Sequence, residues 1–171
     1  ILLYGAGPIG LTFIWALKAY GVKHLAVVAK GAARIAEAKR CGAEFVIDMK
    51  DGGVEEALFA HWDEPADIVI DAAGAGSVLT EAVHLLHTRG RVLLFGYNEH
   101  ARAEIPPSLV TAREIQIMGV LGKAFPSAIA LLEDERLGLA QFVSHRMPLT
   151  EIGRGIELLM KKQATRVILY P

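Results

Sequence analysis

Three glycines near the start of the chain, Gly5, Gly7 and Gly10, have the spacing G-x-G-x-x-G. They follow a short apolar run, residues 1–4, and Pro8 stands where a helix would begin. In a strand-to-helix turn of this kind, the first glycine permits the tight turn and the second lets a pyrophosphate approach the backbone. The third allows the helix to pack closely on the strand. Proline suits the first helical turn, and the free N–H groups of that helix end favour phosphate. The motif therefore predicts a dinucleotide site, with a chance glycine-rich turn as the alternative.

The end of the next apolar run bears on the choice of dinucleotide. An acidic residue about 20 positions after the glycines usually binds the adenosine ribose. Ala29 stands there instead, 19 positions past Gly10, and Lys30 and Arg34 follow it. Alanine leaves room, and the two cations would attract a 2′-phosphate. We therefore predict NADP as the favoured cofactor, with NAD possible. The alternative is a solvated lysine in a turn and a surface arginine on a helix.

No other residues have the pattern of a reactive or metal-binding set. His84 and His87 have H-x-x-H spacing on a predicted helix, but zinc needs three or four ligands and no cysteine or acidic cluster joins them. We interpret them as part of a solvated helix face and His145 as structural. No serine, histidine and acid are arranged as a nucleophile and its base. Lys123 is interpreted as a solvated or phosphate-facing lysine. The sequence thus predicts no catalytic residue and no metal site in this chain.

The elements that must position the glycine motif alternate regularly. Short apolar runs recur with helix-like stretches of about 10–15 residues between most of them. The runs cover residues 1–4, 25–28, 44–47, 67–70, 91–95, 114–119 and 166–170. Strands that are apolar on both faces and separated by helices indicate a parallel sheet covered on both sides. The pattern predicts one α/β domain over residues 1–171, doubly wound, with a six-stranded parallel sheet in the order 3-2-1-4-5-6.

Helix boundaries can also be assigned from the sequence. Gly21 and Gly42 stand where two helices should end. Thr150 is predicted to cap a last helix, with Glu151 in its first turn and basic Lys161 and Lys162 in its last turn. Its apolar residues fall on one face at helical spacing: Ile152, Ile156, Leu159 and Met160.

Composition excludes several classes of function. The chain has 171 residues, 18 basic and 19 acidic, a net charge of -1 and a mean hydropathy of +0.36. No basic cluster suggests a nucleic-acid or membrane partner. The uncharged run over residues 1–17 is interrupted by glycines and is shorter than the about 20 residues of a membrane span. Cys41 is the single cysteine, which excludes an internal disulfide and favours a reducing cytoplasm.

The stretch GAGPIGL and the pattern R-x-x-x-A-K-x-x-G-A, formed by Arg34, Ala38, Lys39, Gly42 and Ala43, resemble the zinc-type medium-chain alcohol and polyol dehydrogenases. DIVIDAAG, GRVLLFG, EIQIMGV, FVSHRMPL and RVILYP are similar to that family as well. The resemblance covers the cofactor-binding Rossmann half alone. It implies that the GroES-like catalytic domain, with the zinc and most contacts to the alcohol substrate, is absent from this chain. The isolated chain is then expected to bind a dinucleotide without turning over substrate.

The resemblance also assigns binding roles to individual positions. Pyrophosphate contacts are implied for Gly7, Pro8 and Ile9, and contacts to the adenosine ribose for Ala29, Lys30 and Arg34. Ala73 and Gly74 would border the adenosine side, and Gly96, Tyr97, Val120, Leu121 and Gly122 the nicotinamide carboxamide. A homo-oligomer formed through the edge near EIQIMGV is also expected.

Two departures from the family pattern stand out. The family's acid is missing at Ala29, which places a preference for NAD in doubt. Thr88, Arg89 and Gly90 replace a Pro-Gly-Gly turn before the fifth strand, which we expect to affect only a loop. A regulatory Rossmann module that senses nucleotide remains the alternative function. An FAD-binding unit and a methyltransferase are disfavoured, because both would want an acid where Ala29 stands.

Overall fold

The computed structural model describes residues 1–134, 142–161 and 163–171. By its internal contacts the chain divides into two compact units, residues 1–122 and 123–171. None of the helices in the described ranges combines the length and the apolar character needed to cross a membrane. A single domain over residues 1–171 stays a prediction.

The first unit is built on a parallel sheet. Its strands are β1 (Leu2–Tyr4), β2 (Ala26–Ala29), β3 (Phe45–Asp48), β4 (Ala66–Asp71), β5 (Leu86–Leu94) and β6 (Gln116–Gly119). The connecting helices are α1 (Pro8–Ala19), α2 (Ala32–Arg40), α3 (Val54–Trp62), α4 (Gly76–Ala82) and α5 (Pro107–Ala112). The sheet has six strands in the order β3-β2-β1-β4-β5-β6, and each neighbouring pair is parallel. The predicted doubly wound α/β fold and its strand order are confirmed.

The core lies at the centre of this sheet. Every residue of β1 and β2 is buried, because helices cover both faces of these strands, as expected for a parallel sheet. At the edge of the sheet, all four residues of β6 are exposed. The order of the strands reverses between β1 and β4, which places the carboxyl ends of these two strands side by side in the middle of the sheet.

Gly21 and Gly42 follow the helices α1 and α2 as predicted. Their φ angles are +81° and +103°, in the left-handed region that glycine adopts without strain. The Gly21 N–H donates to the Lys18 carbonyl, and the Gly42 N–H donates to the Lys39 carbonyl. These bonds satisfy carbonyl groups that would otherwise lack a partner at each helix end.

The segment before the fifth strand differs from its prediction. The structure includes Thr88, Arg89 and Gly90 within β5 rather than in a loop. Arg89 has a φ of +66°, and its N–H donates to the Arg113 carbonyl at 2.7 Å. A Cβ at Gly90 would lie 2.9 Å from the His87 carbonyl oxygen. The segment therefore bulges out of regular pairing, and the glycine is required by the close approach of the backbone.

The prediction that His84 and His87 share a helix is wrong. The helix α4 ends at Ala82, His84 lies in the turn that follows, and His87 belongs to β5. The Nε2 atom of His87 lies 3.9 Å from an oxygen of Glu64. The apolar run around these residues continues into a buried strand, and tertiary burial overrides the helical spacing.

The second unit contains α6 (Phe125–Glu133), β7 (His145–Pro148), α7 (Ile152–Met160) and β8 (Val167–Tyr170). β7 pairs in parallel with β8, and the sequence did not predict β7 as a strand. The cap predicted at Thr150 is wrong, because Thr150 lies inside a 3-10 turn over Leu149–Glu151. Glu151 occupies the cap position and makes no side-chain capping bond. Lys161 pairs with Glu157, and Lys162 lies outside the described residues.

The predicted apolar face of α7 is present, and among the described residues its side chains are exposed. Its four residues are between 45% and 79% exposed: Ile152, Ile156, Leu159 and Met160. The buried residue of this helix is Gly155 instead. A Cβ at Gly155 would lie 3.2 Å from Val167 and 3.3 Å from the Met147 sulfur. The helix therefore packs on β7 and β8 at Gly155, where it has no side chain.

A part-buried hydrogen bond connects β1 to α4. The Tyr4 side chain is 1% exposed, and its hydroxyl donates to Glu81 Oε2 at 2.7 Å. Burial is the main cause that raises the pKa of Tyr4 far above its ordinary value, and the hydrogen bond to Glu81 adds to it. The unfolded chain therefore loses this proton at a lower pH than the folded chain. Tyr4 stabilises the fold fully below the unfolded pKa of about 10, and this contribution falls as the pH rises above it.

Replacing Tyr4 by phenylalanine should reveal this bond in two ways. At neutral pH, Tyr4→Phe should lower the free energy of unfolding by about 1.5–3 kcal/mol, because the lost bond has a charged acceptor. Above pH 10, the wild type should lose about 1.4 kcal/mol more per pH unit than the variant. Urea unfolding of both proteins from pH 7 to 11 measures both effects. Equal slopes above pH 10 would contradict the assignment.

Candidate functional site

The glycine motif forms the turn between β1 and α1, where the backbone is too crowded for side chains. Gly5 has a φ of +103°, and its N–H donates to the Val28 carbonyl of β2 at 2.9 Å. A Cβ at Gly10 would lie 1.8 Å from the Gly5 carbonyl oxygen. The first turn of α1 therefore lies directly against the loop that leaves β1. Two of the three glycines are required by the fold itself.

Gly7 differs from the other two glycines of the motif. It precedes α1 as the N-terminal cap, with an ordinary φ of -78°, and among the described residues no atom beyond its chain neighbours lies within 4 Å of the position of a Cβ. The protein packs nothing against this position. The first-turn N–H groups of Ile9 and Gly10 have no acceptor within the helix, and this turn carries no acidic residue. An open glycine beside free N–H groups is the arrangement that a phosphate requires.

The second group of predicted residues lies at the carboxyl end of β2. Ala29 is buried as the last residue of the strand, and Lys30 is exposed directly after it. Arg34 is exposed in the first turn of α2, which has no acidic residue. Within the part of the chain that the structure describes, neither cation forms an ion pair, whereas Arg40 further along α2 pairs with Glu37. Both charges are therefore available to an anion.

Asp71, which the sequence analysis did not single out, organises the ends of β4 and β5. Its Oδ1 atom accepts hydrogen bonds from the N–H groups of Ala73 and Gly74, each at 2.8 Å. Its main-chain carbonyl accepts from the N–H groups of Phe95 at 2.9 Å and Gly96 at 2.7 Å. The sequence contained a signal, because an aspartate before small residues commonly bonds the backbone two positions on.

The loops after β1, β4 and β5 touch through positions without side chains. A Cβ at Gly96 would lie 2.2 Å from the Gly74 nitrogen, and a Cβ at Gly5 would lie 3.3 Å from the Ala73 nitrogen. The structure therefore brings together these four predicted positions. They meet where the strand order reverses between β1 and β4. In open α/β sheets this crevice is where ligands bind.

The positions predicted on the nicotinamide side follow β5 and β6. Phe95 packs edge-on against Phe13 of α1, with ring centroids 5.1 Å apart. Gly122 lies beside it, since a Cβ there would be 3.9 Å from the Phe95 ring. Tyr97 and Leu121 are 90% and 80% exposed, and Val120 is exposed as well. Phe95 thus connects this side of the crevice to α1, while the larger side chains remain open to a ligand.

A cleft of about 250 Å³ opens at the same ends of β4 and β5. Asp71, Gly74 and Gly96 contribute to its lining, together with Leu79 of α4 and Arg102 from the loop after β5. The Arg102 guanidinium donates to two main-chain carbonyls, those of Glu99 and Ala101. Arg102 thereby fixes the loop that forms the outer wall of the cleft. This loop was not predicted from the sequence.

The described residues do not fit a zinc site. No group of three histidine, cysteine or acidic side chains within them is arranged to hold a metal ion. Cys41 is half-buried at the end of α2, and burial raises the pKa of its thiol, which disfavours the thiolate that metals bind. The first-turn N–H groups of α1 and the exposed Lys30 and Arg34 are the groups at this site that favour an anionic ligand.

Comparisons with known proteins agree with this geometry. Residues 8–134 match the family described as zinc-binding dehydrogenase. Sorbitol dehydrogenase of Ovis aries is 26% identical over 174 residues, covering 99% of this chain and 49% of that protein. An alcohol dehydrogenase, RspB of Escherichia coli CFT073, solved with NADH, is 30% identical with a TM-score of 0.88, covering 98% of this chain and 50% of its own.

Alcohol dehydrogenase TADH of Thermus sp. ATN1 is 26% identical with a TM-score of 0.91, covering 99% of this chain and 50% of its own. The chain thus spans about half the length of the relatives it matches.

Proposed function

The chain belongs to the zinc-binding dehydrogenase family, and from this premise we propose that it holds a nicotinamide dinucleotide for the oxidation of an alcohol or polyol to a carbonyl. The observation that carries the proposal is the open position at Gly7. At the other two glycines of the motif, neighbouring backbone atoms occupy the space that a Cβ would need. A ligand that occupies this space would account for the missing side chain at the middle position. The relative solved with NADH supports a nicotinamide ligand.

The proposed roles follow the positions of the residues around the crevice. Ile9 and Gly10 would donate their N–H groups to the pyrophosphate, while Gly7 and Pro8 leave space for it. Ala73 and Gly74 would border the adenosine half. The backbone at five positions would border the nicotinamide carboxamide: Gly96, Tyr97, Val120, Leu121 and Gly122. When bound, a nicotinamide dinucleotide supplies the hydride acceptor for the reaction.

The alcohol and the metal are proposed to bind in the part of the relatives that this chain does not match. The described residues lack a ligand set for zinc. The role proposed for this chain is therefore to bind the dinucleotide and does not include holding the metal. The isolated chain is accordingly proposed to bind the dinucleotide without activity. The single half-buried cysteine favours a reducing compartment such as the cytoplasm.

Replacing Gly7 by valine tests the dinucleotide site. A Cβ branch would occupy the space of the pyrophosphate, so Gly7→Val should abolish NADH binding as measured by calorimetric titration. The fold should persist, because nothing packs within 4 Å of this position. Gly53→Val is the matched control: Gly53 is also a helix N-cap with extended backbone and open surroundings. A folded Gly7→Val variant with wild-type affinity would refute the site.

We propose that NADPH binds more tightly than NADH, because Lys30 and Arg34 follow the uncharged Ala29 and form no ion pair with any described residue. A hydrogen bond between charged partners contributes about 1.5–3 kcal/mol, and the flexible lysine favours the lower part of that range. We expect about tenfold tighter binding of NADPH, weakening with salt.

Titration of both reduced cofactors against Lys30→Ala measures this preference. The substitution should weaken NADPH binding by about tenfold and leave NADH binding unchanged. Lys23→Ala serves as the control, since Lys23 is exposed at the opposite end of β2. Equal affinities for the two cofactors, unchanged in Lys30→Ala, would show that the lysine is turned to solvent.

We also propose a homo-oligomer in which β6 associates with a second copy of the chain. β6 is an edge strand, and its Ile117 and Met118 are exposed. An apolar unpaired edge promotes association. Sedimentation should give the mass of a dimer for the wild type and of a monomer for Ile117→Lys. Met49→Lys, at the opposite edge of the sheet, should stay dimeric. A monomeric wild type at high concentration would contradict this interface.

A further inference from the structure

We propose that Asp71 is a positioning residue of the dinucleotide site, which holds the loops after β4 and β5 in the conformation that admits the ligand. The inference rests on the proposed dinucleotide-binding function. Asp71 lines the cleft at the ends of β4 and β5, and it acts on the dinucleotide site through the backbone groups to which it bonds. Neither the family match nor the glycine motif assigns it a role.

The burial of Asp71 sets it apart. Among the described residues it is the one buried side chain that can carry a charge at neutral pH, at 4% exposure. No cation pairs with it within those residues. Burying a carboxylate is costly unless hydrogen bonds compensate, and here the compensation comes from the N–H groups of Ala73 and Gly74 at 2.8 Å. The carboxylate and these two peptide groups therefore stabilise one another.

The bonds of Asp71 fix both loops through one residue. Its carboxylate holds the loop after β4, in which Gly74 has a φ of +72°, and its carbonyl holds Phe95 and Gly96 after β5. Gly74 and Gly96 lie so close that a Cβ on Gly96 would be 2.2 Å from the Gly74 nitrogen. A shift in one loop must therefore move the other.

The loss of the carboxylate should act on binding by a defined route. Without it, the buried N–H group of Gly74 is left without its acceptor, which is unfavourable, and the part-buried N–H group of Ala73 loses its acceptor as well. The loop after β4 would turn to find other partners and move Gly96 with it. A dinucleotide would then have to restore the loop when it binds, and its affinity would fall.

The test compares three variants by NADH titration, with a thermal melt of each. Asp71→Ala removes the acceptor and should weaken binding by about tenfold. Asp71→Asn keeps an acceptor oxygen and should stay within about threefold of the wild type. Asp48→Ala is the matched control, because Asp48 ends β3 and its Oδ1 also accepts a backbone N–H, that of Lys50 at 3.1 Å. β3 lies three strand spacings from β4, about 14 Å, and Asp48→Ala should leave NADH affinity unchanged.

The outcomes separate this inference from the proposed function. A wild type that fails to bind NADH refutes the dinucleotide site itself. Wild-type binding with an unchanged affinity in Asp71→Ala, or an equal loss in Asp71→Asn or Asp48→Ala, overturns only the role of Asp71. If Asp71→Ala does not fold, the inference is tested by measuring amide hydrogen exchange in the wild type and in Asp71→Asn. The Ala73 and Gly74 amides should exchange slowly in both proteins, and exchange at the rate of an unstructured peptide would overturn the inference.

Discussion

The site depends on the close approach of main chain to main chain at the carboxyl ends of β1, β4 and β5. A Cβ at Gly10 would lie 1.8 Å from the Gly5 carbonyl oxygen, and a Cβ at Gly96 would lie 2.2 Å from the Gly74 nitrogen. Side chains of any size would separate these segments. Their absence lets α1 begin directly beneath the crevice, so its free N–H groups face the space between the loops.

Such proximity creates a second requirement, because peptide groups packed this tightly still need hydrogen-bond partners. The loop after β4 meets it with the Asp71 carboxylate, and the loop after β5 meets it with the Asp71 carbonyl. Tyr4 and Glu81 provide a comparable connection on the α4 side of β1. A few buried polar groups thus hold together a region in which apolar side chains cannot fit.

The elements that could be predicted from the sequence are those whose signals are local. The strand runs, the terminating glycines Gly21 and Gly42 and the turn at Gly5 each depend on the residue type and its immediate neighbours, and the strand order follows from regular alternation. Failures occurred where distant contacts decide. His87 joins a strand because β4 lies beside it. The wrong cap at Thr150 has a local cause instead, a 3-10 turn over Leu149–Glu151. Asp71 was missed because its importance depends on β5, more than 20 residues further along the chain.

The exposed apolar face of α7 affects how the chain behaves in bulk solution. With a net charge of -1 and an isoelectric point near 6.7, the molecules repel one another only weakly at neutral pH. Association between molecules through exposed apolar residues such as Ile152 and Ile156 is then opposed by little electrostatic repulsion. Colloidal stability of this chain should therefore improve well away from pH 6.7, and hydrophobic dyes should adsorb to it in its native state.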